Sequence, residues 1–416
     1  MIYRYAYPEM FEGMEKPDFK KYSGNIVLWG AGKMGTVVAH RLRQLGIEFM
    51  AFVDNNPDKH GIVFCGHKVI SPTELLSNFP ESIIIMTTVL RSELVEQLEK
   101  YTTPVFDAWS LLLEFDWKHY DYMNELYMER MVDYYFLTIG RELRLKRKHF
   151  VHRLVVNITN RCTLRCEECS AYIPYFENHC DYSQKSIIID SMNVMDTIGH
   201  FKELALFGGE PFMHKELAEI LRFFRNVKSF DVLSVFANGT ILPDKELLEA
   251  IKKESRMLVR VSDYGKLSTK REALVKLLTD NAIKHEVIDY KTWYRNAEIR
   301  VFNETEKERR SKFSCCMNAC FPCISNGKLF LCKVCMSLCE LDVFPEADNY
   351  LDLTVLRDSD REMRNETIRR YILRMDSDDY IDACKYCSGK ASAHYLDMSP
   401  VAEQAKGLLK IDKISV

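Results

Sequence analysis

Short apolar runs alternate with amphipathic stretches along most of the chain. Residues 25–30, 49–54, 82–87 and 104–107 read as short buried strands, and helical periods fill the gaps near residues 37–45 and 92–100. This predicts a small α/β unit over residues 25–112, preceded by an extension, 1–24. Residues 113–150 carry polar and aromatic positions at helical spacing and end in the basic run 141–148, read as a helical connector with a solvated tip. A second alternation starts at Leu154, with strands expected at 154–159, 204–208, 233–238, 258–263, 286–289 and 299–302, and helices at 216–224, 244–253 and 269–278. Repeated βα units predict a parallel sheet, open or barrel-like, with its site at the C-terminal strand ends.

Composition narrows the class. At 416 residues, 47% hydrophobic and 28% charged, the chain is expected to form two or three globular units, and it has no apolar run of about 18 residues to span a bilayer. Its start, residues 1–21, lacks an apolar stretch behind a basic one, so no secretory signal is read and a cytoplasmic location is expected. The net charge of −3 gives no electrostatic reason for a nucleic-acid partner and favours a small-molecule substrate.

Fourteen cysteines change the picture, because a reducing compartment keeps disulfides open and clustered thiols there bind metal. They fall as Cys65, four from Cys162 to Cys180, seven from Cys315 to Cys339, and the pair Cys384 and Cys387. Directly after the first strand of the second alternation stand Cys162, Cys166 and Cys169. Three thiolates so close can converge on one centre, and a four-iron cubane held by three would keep one iron open. A structural zinc site is the alternative, but it normally closes with four ligands. Gly208-Gly209-Glu210-Pro211 follows the next strand, Asn238-Gly239 the third, and Ser262-Asp263 the fourth. Cys180 is read as packing.

The C-x3-C-x2-C spacing, the GGEP after the next strand and the Asn-Gly after the third resemble the radical S-adenosylmethionine (SAM) superfamily. The resemblance implies a partial (β/α)6 barrel over 151–305 and a [4Fe-4S] cluster on Cys162, Cys166 and Cys169. It implies SAM chelating the open iron, and reductive cleavage to a 5′-deoxyadenosyl radical that takes hydrogen from the substrate. Gly208, Gly209, Glu210 and Pro211 would meet the SAM amino group, and Asn238, Ser262 and Asp263 the rest of SAM. A flavodoxin or ferredoxin-type donor would supply the electron. One departure stands out: Glu168 occupies the position before the third cysteine, usually aromatic, so adenine contacts are expected from Tyr172 or Tyr175. Tyr264, His285 and Trp293 follow late strands and are read as either pocket lining or packing.

Cys316, Gly327 and Cys332 resemble the opening of the SPASM and twitch auxiliary-cluster domains, and Cys384-x-x-Cys387 would complete four ligands over 306–416. The shorter, twitch-like form with one auxiliary [4Fe-4S] cluster is preferred because no cysteine follows Cys387. Cys320 competes with Cys316 as first ligand, Cys335 and Cys339 are bystanders, members of a further cluster, or hydrogen donors, and structural zinc remains an alternative. Gly30, Gly32 and Gly35 follow the first strand of the N-terminal unit and Asp54 ends the next, as in a nucleotide or NAD fingerprint. This region is similar to Rossmann-like domains beside sugar-modifying enzymes; a fold relic without ligand is the competing reading. The leading expectation is oxidation or epimerisation of a sugar, cyclitol or nucleotide sugar. A peptide-modifying maturase and a non-catalytic zinc-stabilised binding protein are the alternatives.

Overall fold

The computed structural model describes residues 2–4, 15–88, 94, 97–98, 100–116, 132, 135, 153–290, 293–295, 297–314, 316, 321–343, 349–373, 380–387 and 398–411. Most of the expected 92–100 helix and of the 113–150 connector, together with Cys315 and Cys320, lies outside them. The chain divides into two compact units, Met1–Arg147 and Lys148–Val416. Among the described residues no helix is long and apolar enough to cross a membrane.

The N-terminal unit contains strands β1 (Ile2–Arg4), β2 (Ile26–Trp29), β3 (Ala51–Val53), β4 (Val63–Phe64), β5 (His67–Ile70), β6 (Ile83–Met86), β7 (Val105–Asp107) and β8 (Glu114–Asp116). Helices α1 (Lys33–Gln44), α2 (Pro72–Asn78) and α3 (Trp109–Leu112) lie between them. The sheet order is β4-β5-β3-β2-β6-β7, parallel throughout except for β4. The five parallel strands thus run in the doubly wound order, which reverses between β2 and β6. Both of these strands are buried along their whole length, as continuous apolar runs in a parallel sheet should be. Gly35 is obligatory here, since a Cβ would lie 2.1 Å from the Gly30 carbonyl oxygen.

The second unit holds β9 (Arg153–Thr159), β10 (Phe201–Gly208), β11 (Phe230–Ala237), β12 (Met257–Asp263), β13 (His285–Asp289), β14 (Trp293–Tyr294), β15 (Cys323–Ser325), β16 (Lys328–Phe330), β17 (Leu351–Asp352) and β18 (Met398–Ser399). Its helices are α4 (Gln184–Ile198), α5 (Leu217–Phe224), α6 (Lys245–Lys252), α7 (Arg271–Asp280), α8 (Glu306–Ser314), α9 (Lys333–Glu340) and α10 (Arg361–Leu373). Ser183 and Asp244 cap α4 and α6 through their side chains. Strands β9 to β13 are parallel neighbours in sequence order, the partial-barrel arrangement, and the sheet stays open at β13 and β17.

The expected sixth strand at 299–302 does not form. Ile299 and Phe302 are buried, but the Phe302 N–H donates to the carbonyl of Lys385, 2.8 Å away, rather than to a sheet partner. Alternating burial records a half-covered extended chain, not a ladder. The sixth parallel strand is instead β15, which pairs with β9 on the opposite edge and turns back through Asn326-Gly327 into β16. Gly327 has φ +78°, as the hairpin turn requires.

One face of β9–β12 carries Leu154, Val156, Leu204, Leu206, Leu233 and Val235, while the other carries charge. Glu203 accepts from Arg153 Nε at 2.7 Å and also from Arg260 and Ser234, and Arg260 reaches Glu286 at 3.3 Å. Burial alone would raise the Glu203 pKa; Arg153 and Arg260 overcome it and hold the carboxyl well below its ordinary range. This network ties five strands together. Glu203→Ala strands two buried guanidiniums and should cost about 3–5 kcal/mol in urea unfolding, against less than about 1 kcal/mol if the charges were solvated.

Candidate active site

Thr159 ends β9 and begins a loop that returns across the top of β10. The Gly209 N–H donates to the Thr159 carbonyl at 3.0 Å and the Glu210 N–H to the Arg161 carbonyl at 2.8 Å, so the Gly-Gly turn is bonded directly to the cysteine loop. No side chain fits between them. A Cβ on Gly209 would lie 2.2 Å from Arg161 O and 2.9 Å from Cys162 Cβ, and one on Gly208 would lie 2.3 Å from Thr159 O. Arg161 anchors the loop from outside, reaching Asp181 at 3.0 Å and the Met213 carbonyl at 2.9 Å.

Cys162, Cys166 and Cys169 lie in one neighbourhood: the charge of Cys169 raises the pKa of both other thiols, and that of Cys166 raises the pKa of Cys162. Burial is the larger cause, pushing Cys162 to about 12 and Cys166 to about 11, and it raises Cys169 as well. Bare thiols here stay protonated, so iron must displace those protons on binding. Several donors point at the sulfurs: the Leu164 N–H at 3.4 Å and Asn238 Nδ2 at 3.6 Å to Cys162, Gln404 Nε2 at 3.2 Å to Cys166, and the amides of Ile173, Ala171 and Tyr172 to Cys169. Donors aimed at buried sulfur fit ligated thiolates, and the site's chemistry therefore suits a cluster. Among the described residues no three His, Cys, Asp or Glu side chains sit close enough to bracket a single metal ion.

Glu210 is not exposed at all. Its Oε1 accepts the Phe212 N–H at 3.0 Å and its Oε2 the Asn238 N–H at 2.6 Å, so the carboxylate braces β10 against β11. Burial, partly offset by those two amides, raises it to about 7. Asn238 touches both the brace and the cysteine loop, donating to Thr163 Oγ1 at 3.0 Å. Pro211, buried, opens the turn Pro211–Met213. Asp263 is paired with Arg271 and accepts the Gly265 N–H at 2.9 Å, while Ser262 is buried beneath it.

Glu168 has its own structural explanation. Its carboxylate accepts the Ala297 N–H at 3.0 Å, and the Tyr175 hydroxyl donates to the Ala297 carbonyl at 2.9 Å, pinning that peptide from both sides. Tyr172 is only 1% exposed, whereas Tyr175 is half-buried with its hydroxyl held by the Ala297 carbonyl. The aromatic surface at the cysteine loop comes from Tyr264 and Trp293, whose rings meet edge-on at 5.3 Å and pack beside Leu164 and Cys166. His285 opens β13 and so stands at the other end of the sheet, its Nδ1 on the Ile283 carbonyl. Cys180 is exposed rather than packed.

The second group also assembles. The pKa of the Cys332 thiol is raised by burial and then by the charges of Cys316, Cys384 and Cys387, which places these four thiols within electrostatic reach of one another. Cys335 and Cys323 donate to the carbonyls of Asn349 and Phe321 at 3.2 and 3.3 Å, as protonated thiols do. Sequence reasoning missed Lys312, an exposed-looking position on α8 that is 95% covered by its surroundings and bonds the carbonyls of Cys384 and Cys387 at 2.8 and 2.7 Å, with Glu304 as counter-ion. Tyr172 stands between the two groups. Its N–H bonds the Cys169 carbonyl at 2.8 Å, while burial first, then Cys387, Tyr175 and Cys332, hold its hydroxyl well above the ordinary range.

In the N-terminal unit Gly30 and Gly35 form the expected tight turn, but Asp54 is already engaged. It accepts the Ala31 N–H and the Lys59 ammonium, both at 2.9 Å, and the Asn56 N–H at 2.9 Å.

The C2185-like N-terminal family matches residues 22–104. The GTP 3′,8-cyclase of Campylobacter jejuni subsp. doylei is 26% identical over 167 residues, 38% of this chain and 50% of the relative. The Fe-coproporphyrin III synthase of Methanosarcina barkeri is 33% identical over 115 residues, 27% of each. The chain spans about half the length, or less, of the curated relatives it matches. Distant structural likenesses include BtrN in complex with AdoMet and 2-DOIA (TM-score 0.37, 14% identity, 63% of this chain and 100% of that one) and Streptococcus suis SuiB bound to S-adenosylmethionine (TM-score 0.30, 17% identity, 40% of each). In this chain a parallel sheet carries the cysteine loop on its first strand end and the Gly-Gly-Glu turn on the next. The relatives and structural neighbours named here are all radical SAM enzymes, and the chain is similar in sequence to those relatives over the matched residues.

Two outcomes test the site. Gly209→Ala should destabilise the fold by about 1–3 kcal/mol in chemical denaturation and displace Cys162, lowering bound iron. Glu210, at about 7 folded against 4.5 ordinarily, keeps a proton that the unfolded chain releases. Its contribution is therefore full below pH 4.5 and lost as pH rises through 7, on the order of 3 kcal/mol, and Glu210→Gln should flatten that fall in iron-free protein.

Proposed function

We propose that the chain is a radical SAM oxidoreductase that holds a [4Fe-4S] cluster on Cys162, Cys166 and Cys169, takes hydrogen from a small substrate, and oxidises or epimerises a sugar, cyclitol or nucleotide sugar. The supporting observation is the packing of three buried, donor-surrounded thiols against a glycine turn that admits no side chain. When bound, the cluster and SAM supply a reductively generated 5′-deoxyadenosyl radical. The chain's own residues position and shield. Gly208 and Gly209 bring backbone up to the site, Glu210 holds β10 and β11 in register, and Tyr264 with Trp293 offers an apolar wall for an adenine ring.

A polar sheet face favours a hydroxyl-rich substrate: Asn157 donates to Ser325 Oγ at 3.1 Å, Ser325 bonds Glu340, and Tyr182 donates to Glu340 at 2.9 Å. In this reading Cys316, Cys332, Cys384 and Cys387 would hold a twitch- or SPASM-like auxiliary cluster, which would supply an electron acceptor for an oxidation. The N-terminal unit binds a nucleotide at its glycine loop, with Lys59 rather than a free Asp54 facing the ligand. A cytoplasmic flavodoxin or ferredoxin reduces the enzyme.

Anaerobically reconstituted protein should contain about eight irons with matching sulfide; Cys384→Ala with Cys387→Ala should leave about four and still cleave SAM. Cys162→Ala, Cys166→Ala or Cys169→Ala should abolish 5′-deoxyadenosine. Deuterated sugars and cyclitols should transfer deuterium into 5′-deoxyadenosine. Transfer from a peptide instead would assign a maturase, and zinc without sulfide would refute the enzyme.

A further inference from the structure

The segment after β18 lies along the first cysteine loop. The Glu167 N–H donates to the Glu403 carbonyl and the Ala405 N–H to the Arg165 carbonyl, both at 2.8 Å, so Cys166 and Gln404 form an antiparallel bridge. Farther along, the Leu409 N–H donates to the Pro174 carbonyl at 3.0 Å. Upstream, β18 pairs with β14, setting Ser399 opposite Trp293, and Ala402, with no exposed surface, packs against Leu164 and Cys166. A strap thus crosses the loop and is bonded at both ends.

At its centre the Gln404 side chain is held by three contacts. Its carbonyl accepts the Arg165 N–H at 2.8 Å, and its amide nitrogen reaches Cys166 Sγ at 3.2 Å and the Ala402 carbonyl at 2.6 Å. These fix which end faces the sulfur: reversed, the amide would set oxygen against sulfur and against another carbonyl, and would offer a nitrogen to a donor. The amide proton must point at Cys166.

A proton donor on a thiolate ligand draws electron density from the sulfur and favours the cluster state that carries more negative charge, the reduced one. We propose that Gln404 is a positioning residue that raises the reduction potential of the first cluster, acting through its N–H···S hydrogen bond to Cys166. This rests on the cluster assignment given above. Because the strap comes from a segment far along the chain, the residue that tunes the cluster also ties it to Trp293, at the proposed adenine wall.

The test is a redox titration of iron-loaded protein followed by electron paramagnetic resonance, reading the reduced signal that changes when SAM is added. Gln404→Met keeps length without a donor, and Gln404→Glu keeps the carbonyl but replaces the donor by charge. Both should retain iron and lower the reduced-to-oxidised ratio at fixed potential, by about tenfold, equivalent to about 59 mV for one electron. Glu403→Ala, which removes an exposed side chain and leaves the strap's backbone bonds, should titrate like the parent. Unshifted potentials in iron-replete variants, or loss of the cluster from both while Glu403→Ala keeps it, would overturn the assignment. A parent protein with no SAM-responsive signal would instead refute the cluster assignment, and this inference with it.

Discussion

Two peptide hydrogen bonds, from Gly209 to Thr159 and from Glu210 to Arg161, hold the site together. They bring the end of one strand against the loop of its neighbour at a spacing below that of any side-chain contact, and the position of Cys162 follows. Everything else at the site hangs from this junction. Glu210 continues it to β11 through Asn238, Asn238 returns to Cys162 and Thr163, and the Arg153–Glu203–Arg260–Glu286 network holds the same strands lower in the sheet. A charged network beneath a hydrogen-bonded rim makes the sheet a rigid base, which a site needing sub-ångström placement requires.

What could be read from the sequence was what is encoded locally. Cys162, Cys166 and Cys169 are close in sequence, and the GGEP and Asn-Gly pairs follow apolar runs, so spacing alone carries them. Strands β9 to β12 came through for the same reason: each carries a largely apolar run, whereas β13 keeps only Val287 and Ile288 as its apolar pair. The misread elements depend on partners far along the chain. Residues 299–302 have the burial of a strand but give their backbone hydrogen bond to Lys385, and β15, only three residues long, continues the sheet beyond β9, where Asn157 donates to Ser325.

Side chains behaved likewise. Lys312 lies in a helix rich in charge and looks solvated, yet its ammonium is buried among the carbonyls of the Cys-x-x-Cys turn. Glu168 looks like a lost aromatic ring but accepts the Ala297 N–H, while Tyr264 and Trp293 supply aromatic surface beside the cysteine loop. Asp54 has the position of a ribose acid and the surroundings of a structural one, because Lys59 arrives from a turn that no spacing rule anticipates. In each case the residue type was visible and its partner was not.

The strap also has a temporal side. Cys166 and Gln404 are separated by 238 positions, so at about 5–20 residues per second a ribosome spends on the order of ten seconds or more between making the cysteine loop and making the segment that covers it. During that interval three thiols destined for one another stand without their shield, open to stray metal and to oxidation. A chain built this way favours late loading: iron arriving after residue 404 has been made would meet a loop already covered.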